Sequence, residues 1–443
     1  MAGTLTSEQN DPRSLIEQGA ITWRQILVIG LCVLLNGLDG FDVLSISFAS
    51  PGISADWGVD RAALGIILSM ELIGMSVGSI ALGLAADKIG RRPVMVASLL
   101  VMAIGMAAAA MSTDILMLAT IRFLTGIGIG GMLATTSAVV AEASSAKFRS
   151  AAIAIMAAGY PLGAIVGGSI ASDLLVDGTW RDIFWLGAGM TIIFLPPILL
   201  IVPESFEITI RRNAPSDALA KVNKALRKLG HAAVETVSPV VAAAKADRTG
   251  LFTGPMRRVT ILLILAYFFH MTTFYFILKW IPKIVVDMGF EPSSAGGVLV
   301  WANIGGIAGS LLFSFLTTKL PLRPLMVGVF LLSFGLVTLF GMTGEGLDAL
   351  QRSAAIAGFF TNAGVVGLYA LIAASYPPHL RAGGTGVVIG VGRGGAALGP
   401  VIAGFLFASN YGLPIVAVIM GLGSVIAAIA ILGLKRNAAA APV

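Results

Sequence analysis

Long apolar runs alternate with short polar breaks along this chain, at the spacing a bilayer imposes. A hydrocarbon core about 30 Å thick takes about 20 residues of helix to cross. Twelve runs approach or exceed that length: 26–49, 62–84, 94–112, 115–140, 151–174 and 183–202, then 259–281, 295–316, 325–343, 354–376, 383–408 and 413–434. A helix satisfies its own backbone groups in lipid, so each run is predicted to be a transmembrane helix. The stretch 204–257, between runs six and seven, is polar and charged and holds no spanning segment. The other breaks are short, which makes successive helices antiparallel neighbours. The pattern predicts an all-α membrane protein with twelve transmembrane helices in two pseudo-symmetric six-helix bundles. Residues 1–203 supply the first bundle and a short tail, 204–257 a linker, and 258–443 the second bundle.

Composition agrees with this reading. Of 443 residues, 57% are hydrophobic and 12% charged, with a mean hydropathy of +0.92; a soluble domain carries about 25% charged residues. The net charge of +6 is informative through its distribution. With the N-terminus inside, 22 of the 29 lysines and arginines face the cytoplasm, ten of them between Pro203 and Val259. Arg61, Arg181, Lys283 and Arg352 fall outside, and Arg122, Lys279 and Arg393 lie within spans. Both termini are therefore expected in the cytoplasm. The positive excess is this bias and implies no nucleic-acid partner. Glu8, Asp11 and Glu17 precede the first apolar run, so the N-terminus reads as a retained tail rather than a cleaved signal. Cys32 is the single cysteine, which excludes an intrachain disulfide.

The halves repeat. Asp87-Lys88-Ile89-Gly90-Arg91-Arg92-Pro93 follows run two, and Thr318-Lys319-Leu320-Pro321-Leu322-Arg323-Pro324 follows run eight, 231 positions on (318 − 87). Arg149 before run five answers Arg381 before run eleven, 232 positions on (381 − 149). Parallel repeats of this kind are a transporter architecture.

Chemistry concentrates where charge enters the spans. Asn36-Gly37-Leu38-Asp39-Gly40-Phe41-Asp42 lies inside run one. Asp39 and Asp42, three apart, share a helix face. Each ionised carboxylate at mid-helix costs on the order of 2.5–3.5 kcal/mol on insertion scales, so such residues face water, pair with cations or hold protons. Gly37 and Gly40 open the same region to a neighbouring helix or a ligand. Glu71 in run two is a further proton-site candidate. Arg393, mid-way along run eleven between Gly392 and Gly394, cannot lose its proton and needs a carboxylate or water. An aromatic carboxylate is a suitable bidentate partner; a structural pair with Asp39 or Asp42 is the competing role. Run seven gathers aromatics, of which Tyr267 and Phe274, seven apart on one stripe, are the candidates for sandwiching a ring. His270 in the same run suits either a proton shuttle or a satisfied core position, the latter being favoured.

Gly83-Leu84-Ala85-Ala86-Asp87-Lys88-Ile89-Gly90-Arg91-Arg92 resembles the signature loop of the major facilitator superfamily. Arg122-Phe123-Leu124-Thr125-Gly126, Gly159-Tyr160-Pro161-Leu162-Gly163 and Pro203-Glu204-Ser205 resemble further stretches of it. Within that superfamily, Asp39-Gly40-Phe41-Asp42 is similar to the Asp-Gly-x-Asp signature of the aromatic acid/proton symporter family, importers of benzoate-type and hydroxybenzoate-type carboxylates. The likeness continues through Glu142, Tyr376-Pro377, Arg381-Ala382 and Gly392-Arg393. It departs at Thr318 and Arg323, where members carry an acid and a histidine. The resemblance implies proton coupling through Asp39, Asp42, Arg122 and Glu142, and inner gating through Asp87, Arg91 and Arg381.

The expectation is a monomeric secondary transporter of a bacterial inner membrane, importing an aromatic monocarboxylate of the hydroxybenzoate, protocatechuate, vanillate or benzoate class with protons. Arg393, Tyr267 and Phe274 would hold the substrate. Symport of muconate or a dicarboxylate, and proton-driven efflux of amphipathic compounds, are the alternatives. With no Walker loop and no metal-ligand cluster in the sequence, no cofactor beyond the coupling proton is expected, nor an enzyme.

Overall fold

The structure, a computed structural model, describes residues 12–237, 249–344 and 346–434. Lys245, Arg248, Lys435 and Arg436, four of the charges counted above, lie outside them. Among the described residues twelve helices are long and apolar enough to span a membrane. They are Trp23–Trp57, Arg61–Ile89, Arg91–Ala110, Ile115–Ala143, Arg149–Asp177 and Trp180–Ile201, then Gly254–Asp287, Pro292–Leu316, Leu322–Gly341, Leu347–Ser375, Gly383–Ala408 and Leu413–Leu432. These are the twelve predicted helices, numbered below as spans one to twelve. Several overhang their apolar runs because end turns reach into the polar interface, where hydropathy no longer marks them.

Prolines inside spans leave carbonyls that other groups take up. Pro51 continues span one beyond the predicted end at 49, and the Ser50 hydroxyl donates to the Ser47 carbonyl it frees, at 2.8 Å. Span five runs unbroken through Pro161; Asn36 Nδ2 of span one donates to the carbonyls of Met156 and Ala157, at 2.8 and 3.4 Å.

Among the described residues, three short α-helices flank the spans: Pro12–Gln18 in the tail, and Phe206–Arg212 and Pro215–Leu229 in the linker. They are docked rather than loose. Arg13 pairs with Glu207 at 2.6 Å and Glu17 with Arg149 at 2.7 Å. Pro215–Leu229 buries Ala218, Val222, Leu226 and Leu229 along one stripe and ends on Gly230 in the left-handed conformation, φ +83°. His231 beyond it lies 3.2 Å from Gln25 Oε1, and burial pushes its pKa down, which favours a neutral ring donating from Nε2.

The chain forms two compact units that do not follow the division at 203 and 258. One takes the chain through Ser45, Gly74–Gly167 and Arg181 into the linker; the other takes Ile46–Ile73, Gly168–Trp180 and the second half. The ends of spans one, two and five therefore cluster with spans seven to twelve. Inside this second unit, span two meets span eleven closely enough that a Cβ on Gly65 would stand 2.5 Å from the Pro400 carbonyl oxygen. Trp180 Nε1 donates to Asp56 at 2.8 Å, tying the start of span six to the end of span one.

Candidate functional site

In the first unit, spans one and five cross backbone to backbone. A Cβ on Gly40 would lie 2.0 Å from the Tyr160 carbonyl oxygen, and one on Gly163 would lie 1.9 Å from that of Gly37. Only hydrogen fits there. The glycines that precede and separate the two aspartates thus serve helix packing, which fixes where the carboxylates stand.

Asp39 and Asp42 are both 1% exposed. Arg122 of span four is fully buried, and its Nη1 and Nη2 each lie 3.3 Å from Asp42 Oδ1. Nη2 also donates to the Asp42 carbonyl at 2.9 Å, and Met106 Sδ stands 3.0 Å from Nη1. The Phe184 ring centre lies 5.4 Å from the guanidinium carbon. The structure therefore pairs two of the expected proton-coupling positions, Asp42 and Arg122, across spans one and four, with Asp39 buried three residues before Asp42. Arg122 supplies a positive charge directly against the Asp42 carboxylate.

Glu142 stands elsewhere. Its Oε1 takes Arg91 Nε at 3.3 Å, while Arg91 Nη1 reaches Asp87 at 2.6 Å. The backbone N–H of Arg91 donates to Glu204 Oε1 at 2.7 Å. Gly90 turns this corner at φ +118°, a conformation that L side chains rarely adopt, and an added Cβ would strike Glu204. Arg211 of the linker donates to the Asp87 carbonyl. The loop is thus a cluster of Asp87, Arg91, Glu142 and Glu204 that ends spans two and four together and clips the linker to them. The family resemblance groups Glu142 with the proton site; its contacts place it at the loop.

In the second unit, Arg393 is half-buried in span eleven and, among the described residues, makes no ion pair or hydrogen bond. Gly392 beside it faces Tyr267, whose Cδ1 would lie 2.2 Å from an added Cβ. The Tyr267 hydroxyl meets that of Tyr369 at 3.2 Å, the rings 6.0 Å apart. Arg393, Tyr267 and Tyr369 form one cationic and aromatic cluster on spans seven, ten and eleven. Phe274, two turns along span seven, is buried and packs edge-on against Tyr275 at 5.2 Å. Tyr369 was missed from sequence, since a lone tyrosine in span ten gives no pattern to find.

Glu71 is not isolated. It lies fully buried with its Oε2 3.6 Å from Nζ of Lys279, also fully buried. Arg61 at the start of span two pairs with Asp287 at the end of span seven, at 3.1 Å. Their depths match once span seven is followed to Asp287, past the apolar run's end at 281. Glu71 is ten residues into its helix and Lys279 eight from the end of its own, so at 1.5 Å per residue they sit about 15 and 12 Å from those ends. His270 is satisfied: Nε2 donates to the Thr361 carbonyl at 2.9 Å, leaving Nδ1 to accept from the Ser424 hydroxyl at 3.0 Å. Arg381 is exposed at the start of the helix Pro378–Ala408 and, among the described residues, has no ion-pair partner. At the second-half loop, Arg323 donates to the Ile431 and Leu434 carbonyls, capping span twelve.

The family model for the Major Facilitator Superfamily matches residues 31–347 and 263–442. A gallate transporter of Pseudomonas putida is 30% identical over 427 residues, covering 95% of this chain and 94% of that protein. The 3-(3-hydroxy-phenyl)propionate transporter of Escherichia coli is 30% identical, covering 88% and 89%. A 4-hydroxybenzoate transporter of Acinetobacter baylyi is 28% identical, covering 95% and 93%. Among solved structures, the xylose transporter of E. coli in a partially occluded inward-open conformation gives a TM-score of 0.72. At 16% identity, over 95% of this chain and all of that one, it speaks for the fold alone.

Proposed function

The chain belongs to the major facilitator superfamily, in its aromatic acid/proton symporter family, and we propose that it imports an aromatic monocarboxylate with protons by alternating access. Membership makes it a multi-pass membrane transporter and not an enzyme. The observation that carries the substrate reading is Arg393. A permanently charged group, half-buried at mid-span beside two hydrogen-bonded tyrosines, suits a ligand with one carboxylate and one ring. Ring and carboxylate are also what the relatives' named substrates share: gallate, 4-hydroxybenzoate, benzoate and gentisate.

Proton coupling falls to Asp39 and Asp42. A proton on Asp42 would weaken its hold on Arg122, and a proton on either aspartate removes a charge that resists burial when a cavity closes. Coupled carboxylates of this kind titrate as a set. Glu71–Lys279 and Arg61–Asp287 bind spans two and seven on the side we assign to the exterior, so opening that side would separate them. Asp87, Arg91 and Glu142 form the inner latch, with Arg381 at the cytoplasmic mouth. Both termini and the linker are assigned to the cytoplasm of a bacterial inner membrane.

Uptake of labelled 4-hydroxybenzoate, protocatechuate, gallate, benzoate, muconate and succinate into cells, with and without a protonophore, tests this reading. Accumulation of one or more ring monocarboxylates, abolished by the protonophore, is expected. Preference for muconate or succinate, or lower retention of the aromatic acids in expressing cells, would replace it with dicarboxylate symport or efflux.

A further inference from the structure

Outside the transport residues, the first unit carries a groove of about 680 Å³ between the loop after span two, the end of span six and the linker helix Pro215–Leu229. Its charge is one-sided. Arg92, Arg212, Lys221, Lys224 and Lys228 line it, with Glu204 as the single acid among the lining residues. Glu204 Oε1 is already engaged by the backbone N–H groups of Arg91 and Ser205. Among the described residues, none of the five cations has a carboxylate partner within ion-pair distance.

Backbone carbonyls hold three of them instead, and Lys221 Nζ donates to the side-chain oxygen of Asn213. Lys228 Nζ donates to the Leu200 carbonyl and Arg212 Nη1 to that of Ile89, each at 2.8 Å, while Arg92 donates to the Leu199 carbonyl. Arg92 Nε is buried and, among the described residues, without a hydrogen-bond partner. The carbonyl bonds place Lys228, Arg212 and Arg92 at helix C-termini but neutralise no charge. Burial lowers the Lys228 pKa, and repulsion from Arg92 and Lys224 lowers it further. Cations held this close without a counter-charge suit an anion.

The groove also has an apolar lip. Ile89, Leu199 and Leu200 are 47%, 41% and 72% exposed, and the last two close a transmembrane span. A soluble anion has no use for such a lip, whereas a lipid phosphate brings acyl chains that cover it. We propose that this groove binds the phosphodiester headgroup of an anionic phospholipid, with Lys221, Lys224 and Lys228 on the linker helix and Arg92 and Arg212 beneath them. Because Arg91 and Arg211 engage Asp87, lipid held by their neighbours Arg92 and Arg212 would bear directly on the gating loop.

Full-length protein in nanodiscs of phosphatidylcholine doped with phosphatidylglycerol, followed by native mass spectrometry of retained lipid, tests this. Wild-type protein should retain phosphatidylglycerol over phosphatidylcholine. Lys221→Gln/Lys224→Gln, at two exposed positions whose unchanged thermal melting would report intact folding, should weaken retention on the order of 10-fold or more. Leu199→Ser/Leu200→Ser should weaken retention of phosphatidylglycerol while leaving competition by inorganic phosphate unchanged. Equal retention of the two lipids by the wild type, or unchanged phosphatidylglycerol retention by the lysine variant, would overturn the proposal. So would inorganic phosphate binding as tightly as the lipid, which would make the groove a site for a free anion.

Discussion

The pair Arg122–Asp42 offers the sharpest energetic test. Both side chains are sealed from water, with guanidinium nitrogens 3.3 Å from the carboxylate oxygen. At that distance and an effective dielectric constant near 20, their attraction is about 5 kcal/mol. Much of it offsets the desolvation of two ions, so net stabilisation over a neutral, well-packed pair is close to zero. Deleting one partner is another matter. Arg122→Met leaves a buried carboxylate without its cation and should cost about 3–5 kcal/mol, less whatever a captured proton recovers. The double variant Arg122→Met/Asp42→Asn removes both charges and should recover at least about 2 kcal/mol of that loss. Unfolding in mixed detergent micelles, applied to the wild type, both single variants and the double variant, gives the coupling energy. If the single losses simply add, the residues are energetically independent, and the reading of Asp42 as a carboxylate held by Arg122 fails.

Other outcomes follow from the same contacts. Gly163→Ala would push spans one and five apart at the Gly37 carbonyl and should destabilise the protein by roughly 1–3 kcal/mol; Gly189→Ala, with nothing within 4 Å of its added Cβ, serves as the neutral control in thermal melting. Asp39→Asn and Asp42→Asn mimic protonated forms, so at least one should lose uphill uptake while retaining exchange across proteoliposome membranes; uphill uptake by both would move the proton site to Glu71. Ser216→Cys, on the exposed linker helix of a protein whose native Cys32 is buried, should resist impermeant thiol reagents on intact cells, and ready labelling would reverse the assigned topology. Arg393→Lys keeps the charge but loses the planar fork, and substrate binding to the purified protein should fall at least tenfold; near-normal binding by Arg393→Ala would remove Arg393 from the substrate site.

Sequence periodicity sufficed for the twelve spans because lipid leaves so few backbone solutions. The same reasoning singled out Asp39, Asp42, Glu71 and Arg393, since charge inside an apolar run is costly enough to demand a reason, whereas Arg122 took its role from the family resemblance. Partner choice was less accessible. Arg122 selects Asp42, Lys279 selects Glu71 and Arg91 selects Glu142 according to helix depth and rotation, which a one-dimensional pattern carries only weakly. For Glu71 and Lys279 the depths match only when span seven is followed to Asp287, six residues past the apolar run's end at 281 (287 − 281), where hydropathy no longer marks it. Glu142 was grouped by family resemblance with the proton site, although its place at the end of span four sets it beside the loop after span two. Tyr369 had no signal at all, and the ends of spans one, two and five joined the second unit through contacts that no local pattern announces.

Proton movement measured directly is the most exposing test of the whole account. Purified protein in lightly buffered proteoliposomes, without a membrane potential, would receive 4-hydroxybenzoate, or whichever aromatic acid the uptake panel selects, while a pH electrode follows the external medium. The account predicts immediate alkalinisation outside, in fixed proportion to substrate taken up and absent from Arg393→Ala. Substrate entry at an undiminished rate with no pH change in the medium would contradict it.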